Sequence, residues 1–113
     1  MQITPDGKFA YVDIYGQHGG VWVIDLAARS TVTVVHLATE AFGGAITPDG
    51  RFVFATELDL AKVVVISTAT NSVAATVSVG NFPNDVAVTP DSSKAFVTNQ
   101  GDTTISVISI PPR

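Results

Sequence analysis

The chain has 113 residues, 46% of them hydrophobic, enough for one domain-sized core. A formal net charge of −4, with six Lys and Arg and no basic stripe, excludes phosphate-backbone recognition by this segment, so no nucleic-acid partner is expected. The absence of cysteine rules out disulfides and thiolate metal sites, and no signal-peptide leader or membrane span is expected from the hydropathy of the sequence.

The first element is a turn, Thr4-Pro5-Asp6-Gly7, with apolar residues on both sides. Proline presets φ, aspartate can bond its own backbone, and glycine accepts the positive φ of a chain reversal. A strand follows, Phe9-Ala10-Tyr11-Val12, apolar on nearly every residue, which predicts cover on both faces. The loop from Gly16 to Gly20 holds His18. A third strand, Val21-Trp22-Val23-Ile24-Asp25, carries the only tryptophan, expected to pack on the outside of the unit or to touch a partner. The fourth, Thr31 to Leu37, includes His36 and alternates more clearly, as an outer strand with one wetter face does.

The same order then recurs. The turn returns at Thr47-Pro48-Asp49 and Thr89-Pro90-Asp91, in steps of 43 and 42 residues, and the third-strand block returns at Val63–Ser67 and Ile105–Ser109 in steps of 42. The odd residue therefore lies in the Gly16 to Gly20 loop, where insertions belong. A repeat of about 40–45 residues carrying four short strands is the period of a β-propeller blade. The expected fold is all-β: a partial propeller of four-stranded antiparallel blades with almost no helix. The units are expected at 1–44, 45–85 and 86–113, the last lacking its outer strand after Ile110-Pro111-Pro112-Arg113. The column Tyr11, Phe54, Phe96 is expected to fill the space between blades. At the third turn Ser92 replaces glycine, and that turn is expected to relax or to be mobile, because a left-handed non-glycine residue costs about 1–2 kcal/mol. Two and three-quarter blades cannot close a ring, so the two end blades are expected to expose apolar faces. The favoured expectation is a piece of a longer propeller, Met1 falling inside a repeat; the other is self-assembly of several copies into a closed ring.

The third unit, Thr89-Pro90-Asp91 followed by Lys94-Ala95-Phe96-Val97-Thr98-Asn99, resembles the YVTN-repeat family of β-propellers. Val63 to Asn71 is similar to the family's third strand and turn, and Val79-Gly80-Asn81-Phe82-Pro83 to its blade-to-blade connection. The likeness covers essentially the whole chain. The first two units depart from it, with Tyr11-Val12-Asp13-Ile14 and Phe54-Ala55-Thr56-Glu57 at the name motif, and Ala38 to Gly43 replaces the connector. The resemblance implies a non-catalytic binding or structural scaffold, in a periplasmic, cell-surface or secreted setting, whose partner is a protein or further propeller blades. It also implies an alternative, a fragment of a lactonase-like hydrolase of the 6-phosphogluconolactonase type. A third class implied is an electron-transfer propeller whose histidines hold a cofactor.

In a four-stranded blade the loops between strands two and three share an end with the blade connectors. That end would carry the acidic residues Asp13, Glu40, Glu57, Asp59, Asp85 and Asp102 against Lys62 alone, with His18 nearby. These seven, Asp13, His18, Glu40, Glu57, Asp59, Asp85 and Asp102, are the candidate ligand-facing residues. Clustered carboxylates attract cations or a basic partner, and a hard cation such as calcium suits oxygen ligands; equally, the charges keep a sticky β protein soluble. No calcium-loop, phosphate-loop, nucleophile-elbow or zinc motif occurs, so no catalytic residue, metal site or cofactor is expected.

Overall fold

A computed structural model describes residues 1–14 and 19–112. Its strands are β1 (Gln2–Ile3), β2 (Phe9–Ile14), β3 (Gly20–Asp25), β4 (Ser30–His36), β5 (Gly44–Ile46), β6 (Phe52–Glu57), β7 (Lys62–Ser67), β8 (Ser72–Ser78), β9 (Pro83–Val88), β10 (Lys94–Asn99) and β11 (Thr104–Ser109). They form three antiparallel meanders, β1-β2-β3-β4, β5-β6-β7-β8 and β9-β10-β11, which makes the chain a partial β-propeller. The second and third sheets begin at Gly44 and Pro83. A short 3-10 helix, Leu58–Leu60, is the one helical turn among the described residues.

Register repeats with the sequence. The central hairpins pair Phe9 with Asp25, Phe52 with Ser67 and Lys94 with Ser109 at their lower ends, and Ile14 with Gly20, Glu57 with Lys62 and Asn99 with Thr104 at their upper ends. A bulge falls between Val23 and Ile24 in β3 and again between Val65 and Ile66 in β7, the same place in the repeat.

Each turn is organised by its threonine. The hydroxyls of Thr4, Thr47 and Thr89 donate to Oδ1 of Asp6, Asp49 and Asp91 at 2.6, 2.7 and 2.7 Å. The same hydroxyls accept from the N–H of Phe9, Phe52 and Lys94, each at 3.1 Å. Each aspartate Oδ1 also accepts the backbone N–H of Lys8, Arg51 or Ser93, at 3.0, 3.1 and 3.0 Å. Proline, aspartate and glycine account for the reversal; the threonine ties the reversal to the strand it starts.

The third turn does not relax. Ser92 holds φ at 58°, where Gly7 and Gly50 hold 73° and 78°, and it is buried. Its hydroxyl accepts the backbone N–H of Asp49 at 3.1 Å, linking the third turn to the second. That bond offsets the left-handed strain and makes the serine a bridge between units.

The core lies in two layers between sheets. Tyr11, Val21, Val23 and Val35 of the first sheet meet Val53, Ala55, Val64 and Ile66 of the second. Phe54, Val63 and Val65, on the opposite pleat of the second sheet, meet Val86, Ala95 and Val97 of the third. β6 and β7 are therefore covered on both faces, which is why they read as continuous apolar runs. The aromatic column fills the gap between sheets only where a following sheet exists. Tyr11 and Phe54 are buried, whereas Phe96 is 40% exposed because among the described residues no sheet packs on that face of the third.

Candidate functional site

The loops between second and third strands do share an end with the connectors. At the second sheet, the buried Glu57 accepts the backbone N–H of Thr39 in the β4–β5 connector at 3.2 Å. At the third, Asp102 accepts from the backbone N–H and the side-chain amide of Asn81 in the β8–β9 connector, at 2.8 and 2.9 Å. Two of the candidate carboxylates thus play the same structural part, each giving a connector N–H its partner. Gly80 fits this arrangement, since a Cβ there would lie 2.7 Å from Asp102 Oδ2 and 2.8 Å from Asn99 Cβ.

The other candidates lie apart in role. Asp59 and Asp85 are exposed, and Asp85 Oδ1 accepts its neighbour's N–H, that of Val86, at 2.9 Å. Glu40 is half-buried. Asp13 sits 3.9 Å from the Met1 amine; burial raises its pKa above the ordinary value, and the N-terminal ammonium opposes that shift. His18 lies outside the described residues. Among the described residues no group of three or more His, Asp or Glu is placed to hold a metal ion.

Two buried polar atoms at this end, Thr39 Oγ1 and Asn99 Oδ1, have no partner. Asn99 donates to Thr104 Oγ1 at 3.3 Å and Ser106 Oγ at 2.9 Å, and helps line an open concavity with Asn84, Thr98 and Gln100.

At the opposite end the turn aspartates are acidified. Hydrogen bonds from Ser93 and Thr89 hold Asp91 at about 2. At Asp49 burial acts upward but is outweighed by Thr47 and by the N–H and guanidinium of Arg51, leaving it at about 2. The Thr4 hydroxyl and the Lys8 N–H lower Asp6. Arg51 also donates to the Pro111 carbonyl at 2.7 Å, so this end is a network of internal partners.

The two outer sheet faces leave apolar side chains exposed. Val21 and Val63 are 0% exposed, and Ile105, their equivalent, is 64% exposed; Val23 and Val65 are 0% and 8%, and Val107 is 55%. On the first sheet's outer face Trp22, at 45%, takes the place that the buried Val64 holds in the second. Sequence reasoning anticipated apolar end faces but not the shared use of Glu57 and Asp102, whose partners lie 18 and 21 residues away.

A partial β-propeller of three antiparallel sheets is the class this arrangement defines. No family model matches the sequence, and no curated protein matches it. Among solved structures it is similar to the hydrazine synthase of Kuenenia stuttgartiensis, with a TM-score of 0.88 and 24% identity over 96% of this chain. The match spans 31% of that chain, about a third of its length, and the likeness is one of fold.

Proposed function

We propose that this chain is a non-catalytic propeller segment, a structural and binding scaffold whose two outer faces are covered by further blades. One observation carries the reading. The residues exposed on the third sheet, Phe96, Ile105 and Val107, belong to the columns that the first two sheets bury against their next neighbour. The residues on the first sheet's outer face, Val12, Trp22 and Ile24, belong to the columns that the later sheets bury against their preceding neighbour. A blade of the same kind fits either face, and each large apolar side chain so covered contributes about 1.5–3 kcal/mol. The likeness of the repeat to the YVTN family supports a periplasmic, cell-surface or secreted setting. Glu57 and Asp102, engaged with connectors, favour the scaffold over a lactonase-like hydrolase.

Light scattering tests the reading. The unaltered chain is expected to associate with rising concentration. Ile105→Glu blocks one face and Trp22→Glu the other, so each variant alone is expected to be monomeric. Mixed, they retain one complementary pair of faces and are expected to form a one-to-one heterodimer. A chain of single-chain mass at every concentration, with no heterodimer on mixing, overturns the proposal. Hydrolysis of a sugar lactone above the uncatalysed rate by this chain would favour the hydrolase instead.

A further inference from the structure

Glu57 is a carboxylate with one bond unmade. It stands at the upper end of β6, 3% exposed, on the pleat that Val53 and Ala55 turn toward the first sheet. Its Oε2 accepts the Thr39 N–H, and its Oε1 has no partner among the described residues. A carboxylate so far out of water is costly unless its oxygens are paired. Glu57 lines a groove of about 240 Å³ between the first and second sheets, walled by Leu37, Leu60, Val64 and Val73, with Lys62 at its side. Lys62 lies directly opposite Glu57 in the β6–β7 register and is exposed. Its amine has no hydrogen bond or ion pair among the described residues. Residues directly opposite hold their Cβ atoms about 4.5–5.5 Å apart, so two opposite charges border one groove without closing on each other. The equivalent pair in the third sheet, Asn99 and Thr104, does close, Nδ2 donating to Oγ1 at 3.3 Å. The first sheet has Ile14 and Gly20 at that place.

We infer that this groove is a binding site for a free α-amino acid with an apolar side chain. The ligand's ammonium donates to Glu57 Oε1, and its carboxylate accepts from the Lys62 ammonium. Its side chain lies against Leu37, Leu60, Val64 and Val73. Both polar contacts are charge-assisted, the stronger class of hydrogen bond. A simple amine would leave Lys62 unmatched and be repelled by it, and a simple carboxylic acid would set like charge against Glu57. The groove is smaller than the ~300 Å³ at which pockets for drug-sized ligands begin, which suits so small a molecule. The inference gives the scaffold a ligand and draws on neither outer face, so it stands or falls separately from the scaffold reading.

L-Leucine is the probe. It is titrated by calorimetry into the unaltered chain and into Trp22→Glu, in which stacking through one outer face is blocked. Saturable one-to-one binding is expected in both. Isocaproate, which lacks the ammonium, and isoamylamine, which lacks the carboxylate, are each expected to bind at least tenfold more weakly. Glu57→Gln keeps an oxygen for the Thr39 N–H and is expected to weaken leucine at least tenfold. Lys62→Met changes an exposed position, so folding is retained. It is expected to weaken leucine at least tenfold while isoamylamine binds equally or more tightly. Absence of saturable leucine binding to the unaltered chain overturns the inference. So does equal binding of leucine and isocaproate, or unchanged leucine affinity in Lys62→Met.

Discussion

Ser92 is where one side chain serves two units. Its left-handed backbone is strained by about 1–2 kcal/mol relative to glycine, and its hydroxyl returns about 1 kcal/mol by accepting the Asp49 N–H. Ser92→Ala keeps the strain and loses the bond, so it is expected to destabilise the chain by about 1 kcal/mol. Ser92→Gly loses both and is expected to be near neutral; urea denaturation of the two variants checks the difference. The turn aspartates make stability depend on pH. Asp49 and Asp91 ionise at about 2 in the folded chain against an ordinary 3.8, so the native state binds fewer protons than the unfolded chain in that window. Their contribution is complete above about pH 4 and is lost as pH falls toward 2. Thermal melts across that range are expected to show a falling midpoint, with a shallower fall for Asp91→Asn than for the unaltered chain.

Strand and connector set how closely the sheets approach. The inner strands β5 and β9 pack against one another where Gly43 faces the Asn84 carbonyl, and a Cβ at Gly43 would run into that oxygen. The connector there is fastened by backbone pairing with Thr56 and by the Gly43 N–H donating to Thr56 Oγ1 at 2.9 Å. Gly43→Ala is therefore expected to prise the second and third sheets apart, at about 1–3 kcal/mol of lost stability in urea unfolding. Gly7→Ala is a contrasting case, because nothing lies within 4 Å of a Cβ there and only the φ of 73° opposes it.

The whole molecule is a slab of 41 × 35 × 18 Å. In its middle sheet β6 and β7 are covered on both faces, whereas each outer sheet leaves one face to water, where Trp22 stands exposed on one side and Phe96, Ile105 and Val107 on the other. These faces are unlike one another, one bearing Trp22 and the other Phe96, Ile105 and Val107, so a contact between two copies through them would be heterologous. That asymmetry is why mixing two differently blocked variants is expected to produce a heterodimer rather than a symmetric pair.

Much of this was legible before any coordinate. The repeat step, the turn chemistry, the count of four, four and three strands and the missing outer strand follow from local pattern, because a strand's pleat and a turn's φ are set by residues adjacent in the chain. The candidate site was legible only as a composition, an acidic end with Lys62 alone opposed to it. That Glu57 and Asp102 face connectors, that Ser92 reaches Asp49 in another unit, and that Phe96 stands open while Tyr11 and Phe54 are buried were decided by the tertiary structure. Periodicity says which residues are equivalent; whether equivalent residues meet the same neighbours depends on the stacking of sheets, and stacking places side by side groups that are far apart along the chain.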